Sequence, residues 1–162
     1  MSDKVMVQKE TPSLELFEEL LPLAKKCWTQ STADKGESCA YYGKREFEIQ
    51  PDIDQYLHLQ EHQSLLILTL REEGRLCGYV VGILYRCLHH KKILGCIADT
   101  IYIEPQYRGH TLLVVNRFER EAAALGVGII GWPTHINGPV YTFLKAHGYI
   151  ADDIVMEKLL CV

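Results

Sequence analysis

The stretch Ile101-Tyr102-Ile103-Glu104-Pro105-Gln106-Tyr107-Arg108-Gly109-His110-Thr111 changes character twice within eleven residues. It begins as a β-branched and aromatic run, which is strand chemistry. Pro105 cannot continue a ladder, so the strand stops there. Arg108-Gly109 then forms a turn, and helical spacing begins at about Thr111. A turn that opens a helix is an anion site. The backbone N–H groups of residues about 109–113 lack intrahelical partners, and the helix dipole favours negative charge beside them. Arg108 adds a planar donor fork suited to phosphate. An ordinary strand-to-helix connection has the same outline, so the turn by itself leaves both readings open.

Downstream of the turn, the helix runs over 111–125 and Gly126 closes it. Residues 127–132 form a short, continuously apolar strand, the pattern of a strand covered on both faces. Asn137 is placed to cap a further helix with Val140, Phe143, Leu144 and His147 on one side, ended by Gly148. Residues 149–150 and 154–160 then complete the sheet. Upstream, residues 65–70 and 76–87 form a hairpin around Glu73-Gly74, and 93–104 is the strand that leads into the turn. Further back, residues 3–9 read as a first strand. Thr11 with Pro12 starts a helix that runs to about Trp28, with Pro22 set to kink or divide it. Residues 29–50 read as a long loop, and Pro51-Asp52 opens a second helix with Ile53, Tyr56 and Leu57 on one side. The expected class is α/β, with a mixed sheet of about seven strands and about four helices.

Composition bounds the rest. The chain has 162 residues, a net charge of -4, 48% hydrophobic and 23% charged residues. That suits one domain over 1–162 and excludes intrinsic disorder. The N-terminal MSDKVMVQKE has no apolar h-region, and no apolar run is long enough to span a bilayer. The six cysteines form no C-x-x-C pair, as in a cytoplasmic protein with free thiols and no metal. His58 and His62 are four apart on a helix but have no third ligand in the pattern, and His89-His90-Lys91-Lys92 reads as a solvated hairpin tip.

The order of elements, the turn Pro105-Gln106-Tyr107-Arg108-Gly109, and Asn137 followed by Phe143-Leu144-Lys145-Ala146-His147-Gly148-Tyr149 resemble the GCN5-related N-acetyltransferase (GNAT) superfamily. The resemblance covers nearly the whole chain and is strongest over 97–149. It implies a mostly antiparallel mixed sheet with a central splay between strands 97–104 and 127–132, helped by Pro133. It also implies acetyl-coenzyme A as co-substrate. The pantetheine arm would pair with the backbone of Ile101, Tyr102 and Ile103. The pyrophosphate would sit on Arg108, Gly109, His110, Thr111, Leu112 and Leu113, with Asn137 near the arm. The sequence departs from the family turn, Arg/Gln-x-x-Gly-x-Gly/Ala, at Thr111 and Leu113. A threonine hydroxyl is able to donate to phosphate in place of a close glycine backbone, whereas Leu113 would crowd the helix mouth.

Asp99, six residues before Pro105, is the candidate general base. Strand alternation puts it on one face with Ile101 and Ile103. Burial in so apolar a strand would raise its pKa toward a useful range. The competing role is a structural carboxylate. Relatives often carry a tyrosine in the last helix as general acid, but Leu144 stands there; Tyr141 and His135 are the alternatives, each equally able to be a packing or surface residue. Tyr41 and Tyr42 in the long loop, with Trp132, are candidates to line the acceptor pocket.

The implied function is direct transfer of an acetyl group to a primary amine of a small molecule or protein, with no metal. Family members often form homodimers through late strands. The alternative is a catalytically impaired GNAT-fold protein acting as a binding, assembly or inhibitory module. Acetylation of aminoacyl-tRNA is disfavoured by the acidic charge balance, which gives no pull toward nucleic acid or membrane.

Overall fold

The computed structural model describes residues 5–33 and 49–152. Its centre is the apolar run at the start of β2 (Leu65–Glu72), where Leu65, Leu66, Ile67, Leu68 and Leu70 are all buried. Such a run is stable only when both faces of the strand are covered. On one face, Leu66, Leu68 and Leu70 pack with Val80, Cys96, Ala98 and Ile103 against Val114, Phe118 and Ala122 of helix α3 (Thr111–Ala124). On the other, Leu65 and Ile67 pack with Tyr79 and Val81 against Leu16, Phe17, Leu20 and Leu23 of α1 (Leu14–Ala33). Helix α2 (Ile53–Glu61) adds Ile53, Tyr56 and Leu57 to that second layer, as its spacing predicts.

The sheet has five strands in chain order: β1 (Val5–Glu10), β2, β3 (Arg75–Arg86), β4 (Leu94–Ile103) and β5 (Val127–Gly131). The first three pairings are antiparallel and β4–β5 is parallel. The parallel pair needs a crossover, and α3 supplies it. A fourth helix, α4 (Pro139–Ala146), follows β5.

Five strands stand among the described residues where about seven were expected. Residues 149–150 lie outside any strand, because Tyr149 N–H instead closes the end of α4 on the Leu144 carbonyl at 3.1 Å. The expected strand at 154–160 lies outside the described residues. Four further expectations are corrected. Ser13, not Thr11, caps α1: its hydroxyl accepts the Leu16 N–H at 3.2 Å. The helix runs through Pro22 undivided and continues to Ala33, taking up the first part of the stretch read as loop. Its buried Leu20 and Leu23 straddle Pro22, so packing on the sheet offsets the missing hydrogen bond. Strand β5 is not covered on both faces, since Ile129 is 55% exposed. Gly138, not Asn137, occupies the N-cap of α4. Asn137 instead takes a left-handed conformation, φ 64°, in a turn closed by Gly138 N–H on the His135 carbonyl at 2.9 Å. Asn tolerates that conformation better than most residues.

Candidate active site

The site is built on β4, and a bulge decides its geometry. Val81 pairs with Thr100 and Gly82 with Ala98, so Asp99 has no cross-strand partner. An extra residue in one strand resets the alternation of side chains. Cys96 and Ala98 face α3 before the bulge, and Ile101 and Ile103 pack toward α3 after it. Asp99 therefore does not share a face with Ile101 and Ile103. It accepts a hydrogen bond from the Tyr56 hydroxyl of α2 at 3.0 Å, on the opposite side. Its side chain is exposed, so the burial that the apolar strand suggests is not realised. Gly82 permits the bulge to lie flat on the core, because a Cβ there would meet Phe118 Cζ at 2.6 Å and Cys96 Sγ at 2.8 Å.

Around Asp99 stand neutral hydroxyl and thiol groups. Burial raises the pKa of Tyr56, and the adjoining Asp99 charge adds to the shift. Burial likewise raises Tyr79 of β3 and Cys27 of α1. The Cys27 sulfur lies 3.9 Å from both the Thr100 hydroxyl and the Ile101 carbonyl oxygen. Among the described residues no lysine or arginine pairs with Asp99.

Strands β4 and β5 pair only from Leu94↔Val127 to Ile97↔Gly131. At that point β5 ends while β4 runs on to Ile103. The β5-side backbone of Ile101, Tyr102 and Ile103 has no strand against it among the described residues. Ile103 is buried, while Ile101 and Tyr102 are half-buried on opposite layers.

Past Ile103 the chain is anchored by charge. Glu104 is 7% exposed, and its carboxylate accepts from Lys26 Nζ at 2.8 Å, Arg75 at 3.0 Å and Gln106 at 3.2 Å. The Lys26 hydrogen bond leads the effects that hold Glu104 below the usual carboxylate range, against a smaller burial penalty. The Tyr107 hydroxyl accepts from Arg75 and donates to Glu72. These contacts tie α1, β2 and β3 to the turn. Residues Pro105–His110 form a 3₁₀ turn running straight into α3. Within it the Thr111 N–H and the Thr111 hydroxyl both donate to the Arg108 carbonyl, the hydroxyl at 2.7 Å. The amide of Thr111 is thus not one of the free donors anticipated at 109–113, and its hydroxyl is engaged within the turn. Arg108 is exposed and donates to Gln30 at 3.1 Å. His110 sits at the N-cap of α3 without a side-chain cap bond. Leu112 and Leu113 point outward, 41% and 44% exposed. A Cβ on Gly109 or on Gly131 would meet nothing within 4 Å. The open β4 edge and the uncrowded Gly109 beside Arg108 fit an extended, amide-bearing, phosphate-ended ligand such as a coenzyme A thioester.

The remaining candidates are dispersed. Trp132 packs on Phe118, ring centroids 5.4 Å apart, and edge-on to Tyr149, so it extends the core. Tyr141 lies half-buried under the Lys145 ammonium, and His135 is exposed. Leu144 is buried and has no hydroxyl to offer. None of the hydrogen bonds or ring contacts among the described residues joins Tyr141 or His135 to Asp99. Tyr41 and Tyr42 lie outside the described residues. Tyr56 is the residue that sequence reasoning missed as part of the site. Its helical spacing marks it as core-facing, and nothing in the pattern pairs it with a residue 43 positions away.

No protein-family model matches the chain, and no curated protein matches it in sequence. Solved structures do match. An aminoglycoside acetyltransferase from an uncultured soil metagenomic sample, in complex with trehalose, superposes with a TM-score of 0.73 at 10% identity, over 99% of this chain and 97% of that one. A ribosomal-protein-alanine N-acetyltransferase from Brucella melitensis biovar Abortus 2308 matches at 0.63 and 16% identity, over 98% and 99%. The aminoglycoside acetyltransferase AAC(6')-Iy, in complex with a bisubstrate analogue joining coenzyme A to acetylneamine, matches at 0.63 and 14%, over 97% and 99%. At these identities the likeness is one of fold. The parallel pair β4–β5, the crossover helix between them and these superpositions together show that the chain shares the fold of these acetyltransferases, as the GNAT resemblance implies.

Proposed function

We propose that residues 1–162 form a single acetyl-coenzyme A-dependent N-acetyltransferase domain, acting on a primary amine of a small molecule or protein. The observation that carries this reading is the juxtaposition on β4 of an unpaired backbone edge past Ile97 with a carboxylate, Asp99, raised out of the strand by a bulge. Bound acetyl-coenzyme A would supply an activated thioester. Ile101, Tyr102 and Ile103 would hold the arm through their backbone. Arg108 and Gly109 would meet the phosphates, with His110, Leu112 and Leu113 bordering them. Asp99 takes the proton from the acceptor ammonium, and the freed amine attacks the thioester carbonyl. The C–N bond forms, the nitrogen gives up its second proton to water, the C–S bond breaks, and the departing thiolate takes a proton from water. Backbone N–H groups steady the developing oxyanion. Most of the acceleration then comes from holding amine and thioester in line. The amine-acetylating activities named for the structural neighbours favour this chemistry.

A second reading, a GNAT-fold binding module without turnover, draws on the buried Leu144 and on Thr111, whose hydroxyl is already engaged by Arg108. Two measurements separate the readings. Isothermal titration with acetyl-coenzyme A is expected to show binding, and silence at millimolar ligand sinks the first reading. Thiol release on adding primary amines favours the enzyme, and its absence despite binding favours the module.

A further inference from the structure

We propose that Tyr56 is the positioning residue for Asp99: its hydroxyl fixes one carboxylate oxygen, so that the other is presented in one direction to an acceptor ammonium. This rests on the acetyl-transfer reading for its use in turnover, but the arrangement itself is independent of it.

The argument begins with the bulge. A bulged residue has lost its ladder partner, so its side chain is set by whatever meets it from outside the strand. The Tyr56 hydroxyl meets Asp99 Oδ2 at 3.0 Å. Oδ1 has no hydrogen-bond partner among the described residues. Tyr56 is itself held: its ring packs on Phe17 of α1 with centroids 5.3 Å apart, and Phe17 is buried. The N-terminus of α2 is fixed by Asp52, whose Oδ1 accepts the Gln55 N–H at 3.0 Å. A rigid donor thus addresses an otherwise loose acid.

The groups facing Asp99 offer no substitute. From α2 it meets Tyr56; Thr100 adjoins it on β4, with the Cys27 sulfur of α1 3.9 Å from the Thr100 hydroxyl, and the Asp99 charge acts on Tyr79 of β3. Burial keeps Tyr56, Tyr79 and Cys27 protonated near neutral pH, so all three are uncharged there. No lysine or arginine pairs with Asp99 among the described residues, and an acceptor ammonium has the charge to do so.

The test compares the full chain, wild type against Tyr56→Phe, which keeps the ring on Phe17, with acetyl-coenzyme A and 1,4-diaminobutane as probes. The expected result is a kcat lowered by about tenfold in the variant, while KM for acetyl-coenzyme A stays constant. The carbon-13 NMR signal of the Tyr56 ring should also be displaced in Asp99→Ala, and that readout survives even if Tyr56→Phe fails to fold. A kcat unchanged in Tyr56→Phe, or a Tyr56 signal indifferent to Asp99→Ala, overturns the proposal. If the wild type turns over no primary amine yet the Tyr56 signal responds to Asp99→Ala, the acetyl-transfer reading fails and the positioning role stands.

Discussion

Strands β2 and β3 pair at eight positions, while β4 and β5 pair at four, where β5 ends. Both pairs are built from apolar runs. Leu65, Leu66, Ile67 and Leu68 are all buried between two helical layers, whereas Ile129 in the similar run of β5 is more than half exposed. The contrast shows a division of labour within one sheet. The closed ladder lies in the core, whereas no strand among the described residues covers β4 past Ile97, the edge that the proposed function assigns to a ligand.

The largest effect should come from the open side. Asp99→Asn keeps the shape of the side chain and removes its basicity. We expect kcat/KM for amine acetylation to fall by about 100- to 10,000-fold, with acetyl-coenzyme A affinity unchanged by calorimetry. A variant with wild-type turnover would leave the bulge without a chemical role.

The next effect tests the closed side against the open one. Ile67→Ala opens a cavity at a fully buried position and should lower unfolding free energy by about 2–5 kcal/mol. Ile129→Ala on β5 should change it by no more than about 0.5 kcal/mol. Denaturant midpoints compare the two directly. Equal losses would mean that β5 contributes to the core as β2 does.

The smallest effect concerns the joint between the two regions. Lys26, Arg75 and Gln106 hold Glu104 ionised below its ordinary pKa of 4.5. The folded-state pKa is depressed, so this stabilisation is present above the unfolded value and is lost as pH falls through the folded one. Melting temperature should therefore decline on acidification below about pH 4.5. Lys26→Met should flatten part of that decline. An unchanged slope would remove Glu104 from the acid response. The effect should be modest, because Lys26 is largely solvated.

Much of the fold was legible before the structure. Period-two runs mark β2, β3 and β4, and helical spacing marks the core side of α2. These are local signals, because each element must carry its own apolar face. The site was legible only in part. Asp99 stood out as a carboxylate in an apolar strand, but its direction was misjudged, since a bulge inserts one residue and leaves no mark in composition. Asn137 reads as a cap by residue type, yet Pro139 at the first turn of α4 and the closed turn before it move the cap to Gly138.

The chain order and the strand-to-turn-to-helix stretch from Ile101 to Thr111 follow from sequence alone, because propensity and periodicity act over a few residues; the GNAT resemblance was also there, carried by the likeness of Pro105–Gly109, Asn137 and Phe143–Tyr149 to that family's motifs. Three things were decided only in three dimensions: the face that Asp99 occupies, its pairing with Tyr56, and the exposure of β5. Each depends on which surfaces meet. Two apolar runs of the same pattern differ in burial because β2 lies inside the sheet and β5 lies at its described margin. A tyrosine and an aspartate far apart in sequence become partners only when α2 is laid across the bulge in β4.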